Sequence, residues 1–243
     1  MTPILPTPRN CPVCDKKYLI FVDRKMTMRT KIYLPLYYCM DCESFSCPSG
    51  FVEDEQILKD SLEWHIKVTD RNVAASKTLL KEFDARKIPY KNIIDIEAGI
   101  GTFIKVAQSS GASGINPLAQ PHARNVNKVD VRPEYWSIDT DCGPFDMMVL
   151  EHVPEPRGMI RDMVRAYAQQ DAALFVSVPF LNRDRWHFIN EPDLHALNNP
   201  FFDNDMHVTH YSTKAMEQIL KEFGMKFIDW VNLGLWQGVI ARP

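Results

Sequence analysis

The chain of 243 residues is 45% apolar and 24% charged, the balance of a globular protein, and its 28 basic against 31 acidic residues leave a net charge of −3. That balance excludes a disordered tail protein, a collagen-like repeat and a disulfide-stapled miniprotein, and it lends no support to a broad electrostatic footprint on nucleic acid. No apolar run is long enough to span a membrane, and Met1-Thr2-Pro3-Ile4-Leu5-Pro6 lacks the charged and apolar regions of a signal peptide. The expectation is a cytoplasmic protein with no membrane partner.

Thiols stay reduced in that compartment, so the cysteines need a purpose other than disulfides. Of the six, only Cys142 lies beyond residue 47. The first four form Cys11-Pro12-Val13-Cys14, a gap of 24 residues, and Cys39-Met40-Asp41-Cys42. A Cys-x-x-Cys turn aims two thiolates at one point, and two such turns supply the tetrahedral sulfur shell that Zn²⁺ prefers. Between them, Lys17 to Val22 and Ile32 to Tyr38 read as strands rich in β-branched and aromatic residues. The expectation is a zinc-ribbon lobe over residues 1–52. Four thiolates leave no open coordination position, so the metal reads as structural rather than catalytic. Cys47 is a spare thiol or an alternative ligand. The absence of a βαβ context around Cys11 and Cys14 argues against a redox pair.

Residues 53–86 turn helical, with Ile57, Leu58, Leu62 and Ile66, then Leu79, Leu80 and Phe83, at helical spacing; they read as a linker. An alternation of strands and helices follows. Strands are expected at 92–96, 113–116, 145–150, 173–178, 225–231 and 236–241, and helices at 102–109, 157–169 and 212–223. The last helix opens on a Ser/Thr cap and closes at Gly224. Such alternation implies a mostly parallel α/β sheet over residues 87–243. One segment breaks the rhythm: about residues 180–211 form a long stretch carrying Pro, Asn, Asp, His and aromatics. Loops of that length in a compact domain are usually binding loops or lids, and this one leaves a strand's carboxyl end, where open α/β sheets bind ligands.

Asp95-Ile96-Glu97-Ala98-Gly99-Ile100-Gly101-Thr102 leaves a strand and opens a helix. Glycines there permit a tight turn and a close approach to a ligand, while the helix N-terminus offers free N–H groups. The spacing is not that of the dinucleotide fingerprint. Further along stand Gly114-Ile115-Asn116-Pro117, Phe145-Asp146-Met147-Met148-Val149-Leu150-Glu151-His152-Val153-Pro154-Glu155-Pro156, Ser177-Val178-Pro179, and His207-Val208-Thr209-His210-Tyr211-Ser212 followed by Ile219-Leu220 and Phe223-Gly224.

These motifs, in this order over about residues 90–241, resemble the class I S-adenosylmethionine (SAM)-dependent methyltransferases of the type 11/12 kind, with an N-terminal zinc ribbon. The resemblance implies a Rossmann-like, seven-stranded, mostly parallel sheet flanked by helices, with the ribbon as a second, small lobe. It places Asp95, Glu97, Gly99 and Gly101 beside the methionine part of the cofactor, Asn116 at the ribose, Asp139 at the adenine amino group, and Glu151 in the same cofactor set. Asn116 departs from the family's usual acidic residue, since an amide lacks the charge-assisted strength of a carboxylate toward hydroxyls.

Methyl transfer from a sulfonium is an in-line displacement governed by positioning, and a hydroxyl or ammonium acceptor also needs a base. His152, at the fourth strand's carboxyl end, is the candidate base, with His207 and His210 as further candidates. Trp64 and His65 on the linker helix are candidates to close over the cofactor. The leading expectation is an enzyme acting on a small-molecule acceptor, with SAM as cofactor and Zn²⁺ as structural metal. An RNA methyltransferase is the second reading. It is disfavoured by net charge although Lys16, Lys17, Arg24, Lys25, Arg29 and Lys31 make the ribbon locally basic. A non-catalytic protein with a degenerate pocket is the third, resting on Asn116.

Overall fold

The computed structural model describes residues 10–17, 19–26, 33–47, 55–96, 99–117, 126–129, 131–132, 143–151, 160–168, 171–178, 209–233 and 237–243. The chain divides into two compact units, one of residues 1–52 with 179–219, the other of residues 53–178 with 220–243. Among the described residues, no helix is long and apolar enough to cross a membrane.

The first unit holds a four-stranded antiparallel sheet in the order β1 (Leu19–Met26), β2 (Tyr33–Cys39), β3 (Phe45–Ser46), β9 (Thr209–His210). Phe45 faces His210 and Ser46 faces Thr209 across the last pairing. A two-residue strand some 160 positions downstream leaves no local pattern that a sequence reading detects, which is why β9 was unexpected. Ser212 ties the segment to the ribbon. Its Oγ donates to the Cys42 carbonyl, its N–H donates to Ser44 Oγ at 3.0 Å, and Lys214 Nζ meets Glu43 Oε1 at 2.9 Å. Ser212 Oγ also accepts from the Ala215 N–H at 2.9 Å, the N-cap expected there.

The second unit holds a seven-stranded sheet in the order β10-β11-β8-β7-β4-β5-β6, comprising β4 (Asn92–Ile96), β5 (Ser113–Pro117), β6 (Val131–Arg132), β7 (Met147–Glu151), β8 (Ala173–Ser177), β10 (Lys226–Asn232) and β11 (Gln237–Arg242). β6, β5, β4, β7 and β8 run parallel; β11 alone reverses, and β10, antiparallel to β11, runs in the direction of the other five. The mostly parallel, seven-stranded Rossmann-like sheet is thus present as expected. Ile93, Ile94, Ile96, Met147, Met148, Val149, Leu150 and Leu174 to Val176 are buried. Such apolar runs, interrupted in β4 by the buried Asp95, mark parallel strands covered on both faces.

Helices α1 (Glu55–Lys67), α2 (Thr69–Ala85), α3 (Thr102–Ser109) and α4 (Ile160–Tyr167) also belong to this unit, and α5 (Thr213–Glu222) runs from one unit into the other. α2 buries Ala75, Leu79, Leu80 and Phe83, and Phe83 meets Phe175 of β8 edge-on, ring centroids 6.3 Å apart. α3 packs on β5 where Gly114 leaves room for Ile104: a Cβ at 114 would lie 2.7 Å from Ile104 Cδ1. β4 precedes β5 on one side and β7 on the other, so the order of connection reverses at β4. Open α/β sheets bind ligands at that switch, outside the strands' carboxyl ends.

Candidate functional sites: a four-cysteine cluster and a buried acidic switch point

In the first unit, two matching knuckles present the four cysteines. The Asp15 N–H donates to the Cys11 carbonyl at 2.9 Å and the Cys11 N–H to the Lys16 carbonyl at 2.7 Å; Glu43, Cys39 and Ser44 repeat the pattern at 2.8 and 2.9 Å. The fifth residue of each knuckle is left-handed, Asp15 at φ 60° and Glu43 at φ 58°. The geometry brings Cys11 Sγ to 3.7 Å from Cys42 Sγ and Cys14 Sγ to 3.6 Å from Cys39 Sγ, with all four sulfurs within 4.8 Å of one another. A tetrahedral shell with Zn–S bonds of roughly 2.3 Å needs sulfurs about 3.8 Å apart. The donor set and spacing therefore fit the metal. Hydrogen bonding to Cys11 and the other two sulfurs, then burial, push the Cys42 thiol far above its ordinary range. Four crowded thiols do not all ionise without a cation among them. Cys47 is buried and lies outside the cluster.

In the second unit, the switch point carries the glycine turn. Gly99 (φ 56°) and Gly101 (φ 73°) are both left-handed, the latter forming the N-cap of α3 without a side-chain cap. The amide hydrogens of the first turn of α3 thus remain uncapped by side chains. Asn127 fixes the turn by donating from Nδ2 to the Ile100 carbonyl at 2.8 Å, with Thr102 Oγ1 at 3.4 Å. No sequence reading singled out Asn127, because a lone Asn in a loop carries no pattern.

Asp95 in β4 is completely buried, and among the described residues neither carboxylate oxygen has a hydrogen-bond partner. Burial, and then the neighbouring Glu151 charge, hold its carboxyl well above the usual range. Glu151 ends β7 one position beyond the residue that pairs with Ile96. It keeps some accessible surface but sits deep enough that burial pushes its carboxyl up to about 7. The two acids thus stand close on neighbouring strands next to a ready-made anion site, an arrangement suited to a ligand with both a cationic and an anionic group.

The other expected residues are distributed as follows. Asn116 pairs with Val131 at the carboxyl end of β5, so its backbone stands at this edge of the sheet. Glu97, Asp139, His152 and His207 lie outside the described residues. His210 belongs to β9 in the first unit, where it is completely buried opposite Phe45. His65 of α1 lies against the glycine turn: a Cβ on Gly99 would meet its Nε2 at 3.2 Å and its Cε1 at 3.3 Å.

Comparison with known proteins agrees with this arrangement. No curated protein matches the chain. Among solved structures, a SAM-dependent methyltransferase from Aquifex aeolicus superposes with a TM-score of 0.50 at 14% identity, covering 78% of this chain and 98% of that one. Human N-acetylserotonin methyltransferase, solved in complex with SAM, gives 0.52 at 14% identity over 77% of this chain and 55% of its own. The mitomycin 7-O-methyltransferase MmcR gives 0.50 at 14% identity over 71% and 53%. The chain thus spans little more than half the length of these last two, and at such identities the likeness is one of fold. Residues 69–229, about two thirds of the chain, match the family model for a methyltransferase domain. With the seven-stranded sheet, the glycine turn and the buried acids at its switch point, that match places the chain in the methyltransferase domain family.

Proposed function

We propose that this protein is a SAM-dependent methyltransferase acting on a small-molecule acceptor, with a structural zinc ion in its N-terminal ribbon and a cytoplasmic setting that keeps the thiols reduced. The observation that carries this reading is the orphaned carboxylate of Asp95, completely buried beside the left-handed glycine turn. A buried carboxyl without a partner is costly in an empty site and becomes favourable once a cation meets it. When bound, SAM supplies an activated methyl on a sulfonium and a cationic amino-acid ammonium.

In this reading Asp95 and Glu151 accept hydrogen bonds from the ammonium, and Gly99 and Gly101 let the backbone come close. The uncapped amides of α3 face the anionic end, and Asn127 keeps the turn in place. Glu97, Asn116 and Asp139 complete the proposed cofactor set, and His152 is the proposed base that takes the acceptor's proton. Cys11, Cys14, Cys39 and Cys42 would hold zinc, which cross-links the two knuckles of a lobe with little core of its own. The small-molecule acceptor is supported by the fold neighbours, a mitomycin 7-O-methyltransferase and an N-acetylserotonin methyltransferase among them.

Incubation with methyl-labelled SAM and a fractionated metabolite extract tests the proposal. Label transferred to a small molecule is expected; calorimetry showing no SAM binding at millimolar ligand contradicts it.

A further inference from the structure

The helical segment of the second unit breaks at Val68, between the end of α1 at Lys67 and the start of α2 at Thr69. The Thr69 hydroxyl donates to the carbonyls of His65 at 3.1 Å and of Ile66 at 2.9 Å, fixing the last turn of α1. That turn carries the His65 imidazole to Gly99, where three of its ring atoms occupy the space a side chain would take: Nε2, Cε1 and Cδ2 at 3.2, 3.3 and 3.5 Å from the Cβ position. Trp64 backs the ring edge-on, centroids 5.2 Å apart. Burial pushes the imidazole below its ordinary pKa, so it is neutral near pH 7.

A neutral imidazole has one N–H to give, and among the described residues neither ring nitrogen of His65 makes a hydrogen bond. Along the site the polar groups separate by sign. Asp95 and Glu151 exclude an anion from their end, whereas the first turn of α3, uncapped by its N-cap side chain, presents backbone donors. A zwitterionic amino-acid group satisfies both, its ammonium at the acids and its carboxylate at the donors. The second pole is where His65 stands.

We propose that His65 is a cofactor-binding residue that donates its ring N–H to the amino-acid carboxylate of SAM and closes the pocket over Gly99. The inference rests on the SAM-dependent reading and adds to it a side chain, from a helix outside the glycine-turn motif, that reads one end of the cofactor.

The test compares three ligands by calorimetry on the full chain: SAM, S-adenosylhomocysteine and 5′-methylthioadenosine, which keeps the nucleoside but lacks the amino-acid group. His65→Ala is expected to weaken the first two about tenfold while leaving the third within about twofold, and His65→Gln, which keeps an N–H donor, to recover part of the loss. Equal weakening of all three, or none, overturns the role of His65. Failure of the unaltered protein to bind any of the three overturns the SAM reading itself. A second measurement does not depend on altering His65. S-adenosylhomocysteine is expected to quench tryptophan fluorescence in the unaltered protein and much less in Trp64→Phe, and 5′-methylthioadenosine in neither. Quenching that ignores Trp64 contradicts the proposal.

Discussion

Asp95 and Glu151 are two acids on neighbouring parallel strands at the sheet's switch point, where the register pairs Asp95 with Val149, two residues before Glu151. Each carboxyl is held in its protonated form more strongly than in water, Asp95 by burial and by the Glu151 charge, Glu151 by burial alone. Among strands whose buried residues are mostly apolar, such a pair gains nothing in stability.

It follows that Asp95→Asn trades stability against binding in opposite directions. Removing an unpartnered buried carboxyl is expected to stabilise the ligand-free protein by about 1–2 kcal/mol. The same change is expected to weaken SAM binding by about tenfold or more. Thermal unfolding with and without SAM reads both. A destabilised ligand-free variant would show that Asp95 has a partner within the fold.

The pH dependence has a definite sign. Glu151 titrates near 7 in the folded chain and from 4.5 in an exposed one, so between those values the folded state holds the extra proton. Stability of the ligand-free protein therefore falls as pH rises from about 4.5 to about 7 and levels off beyond. Glu151→Gln is expected to flatten that slope, and a cationic ligand, which favours the ionised acids, is expected to bind more tightly as pH rises through the same window. Melting temperatures across pH 5 to 8 in both proteins check it; an unchanged slope in Glu151→Gln would assign the titration elsewhere.

The ribbon's cysteines make a separate prediction. Protein purified without chelator is expected to carry about one equivalent of zinc, and Cys39→Ser to lose it together with the ribbon's resistance to proteolysis. Metal analysis finding less than half an equivalent in the unaltered chain would leave the four sulfurs as a thiol cluster.

Packing of the reversed strand gives a purely structural test. A Cβ on Gly238 of β11 would lie 2.3 Å from Cε2 and Cζ of Phe175 and 3.1 Å from the Val176 carbonyl oxygen. Gly238→Ala is expected to cost about 2–3 kcal/mol in denaturant unfolding, and a companion Phe175→Leu change to recover part of it.

Much of this was legible from the sequence, and the reasons are physical. Asn92–Ile96 and Thr102–Ser109 fall where the apolar run and the helical periodicity place them, and Gly99 and Gly101 mark the left-handed positions that follow the strand. The Cys-x-x-Cys pairs announced their own geometry because each knuckle is local. What escaped was long-range. β9 joins the ribbon sheet through two residues, so His210, expected at the end of the long segment 180–211, is a buried strand residue of the first unit. Likewise, the approach of His65 to Gly99 depends on a helix break at Val68 that propensity does not mark, and Asn127 reaches the turn only through the tertiary fold.

The most direct test of the central claim is calorimetric titration of SAM into the unaltered protein and Asp95→Asn at pH 7.5. Saturable binding by the unaltered protein, weakened by about tenfold or more in the variant, is the predicted result. No binding at millimolar SAM, or equal affinity in the two proteins, would contradict the assignment of the buried acidic switch point as the cofactor site.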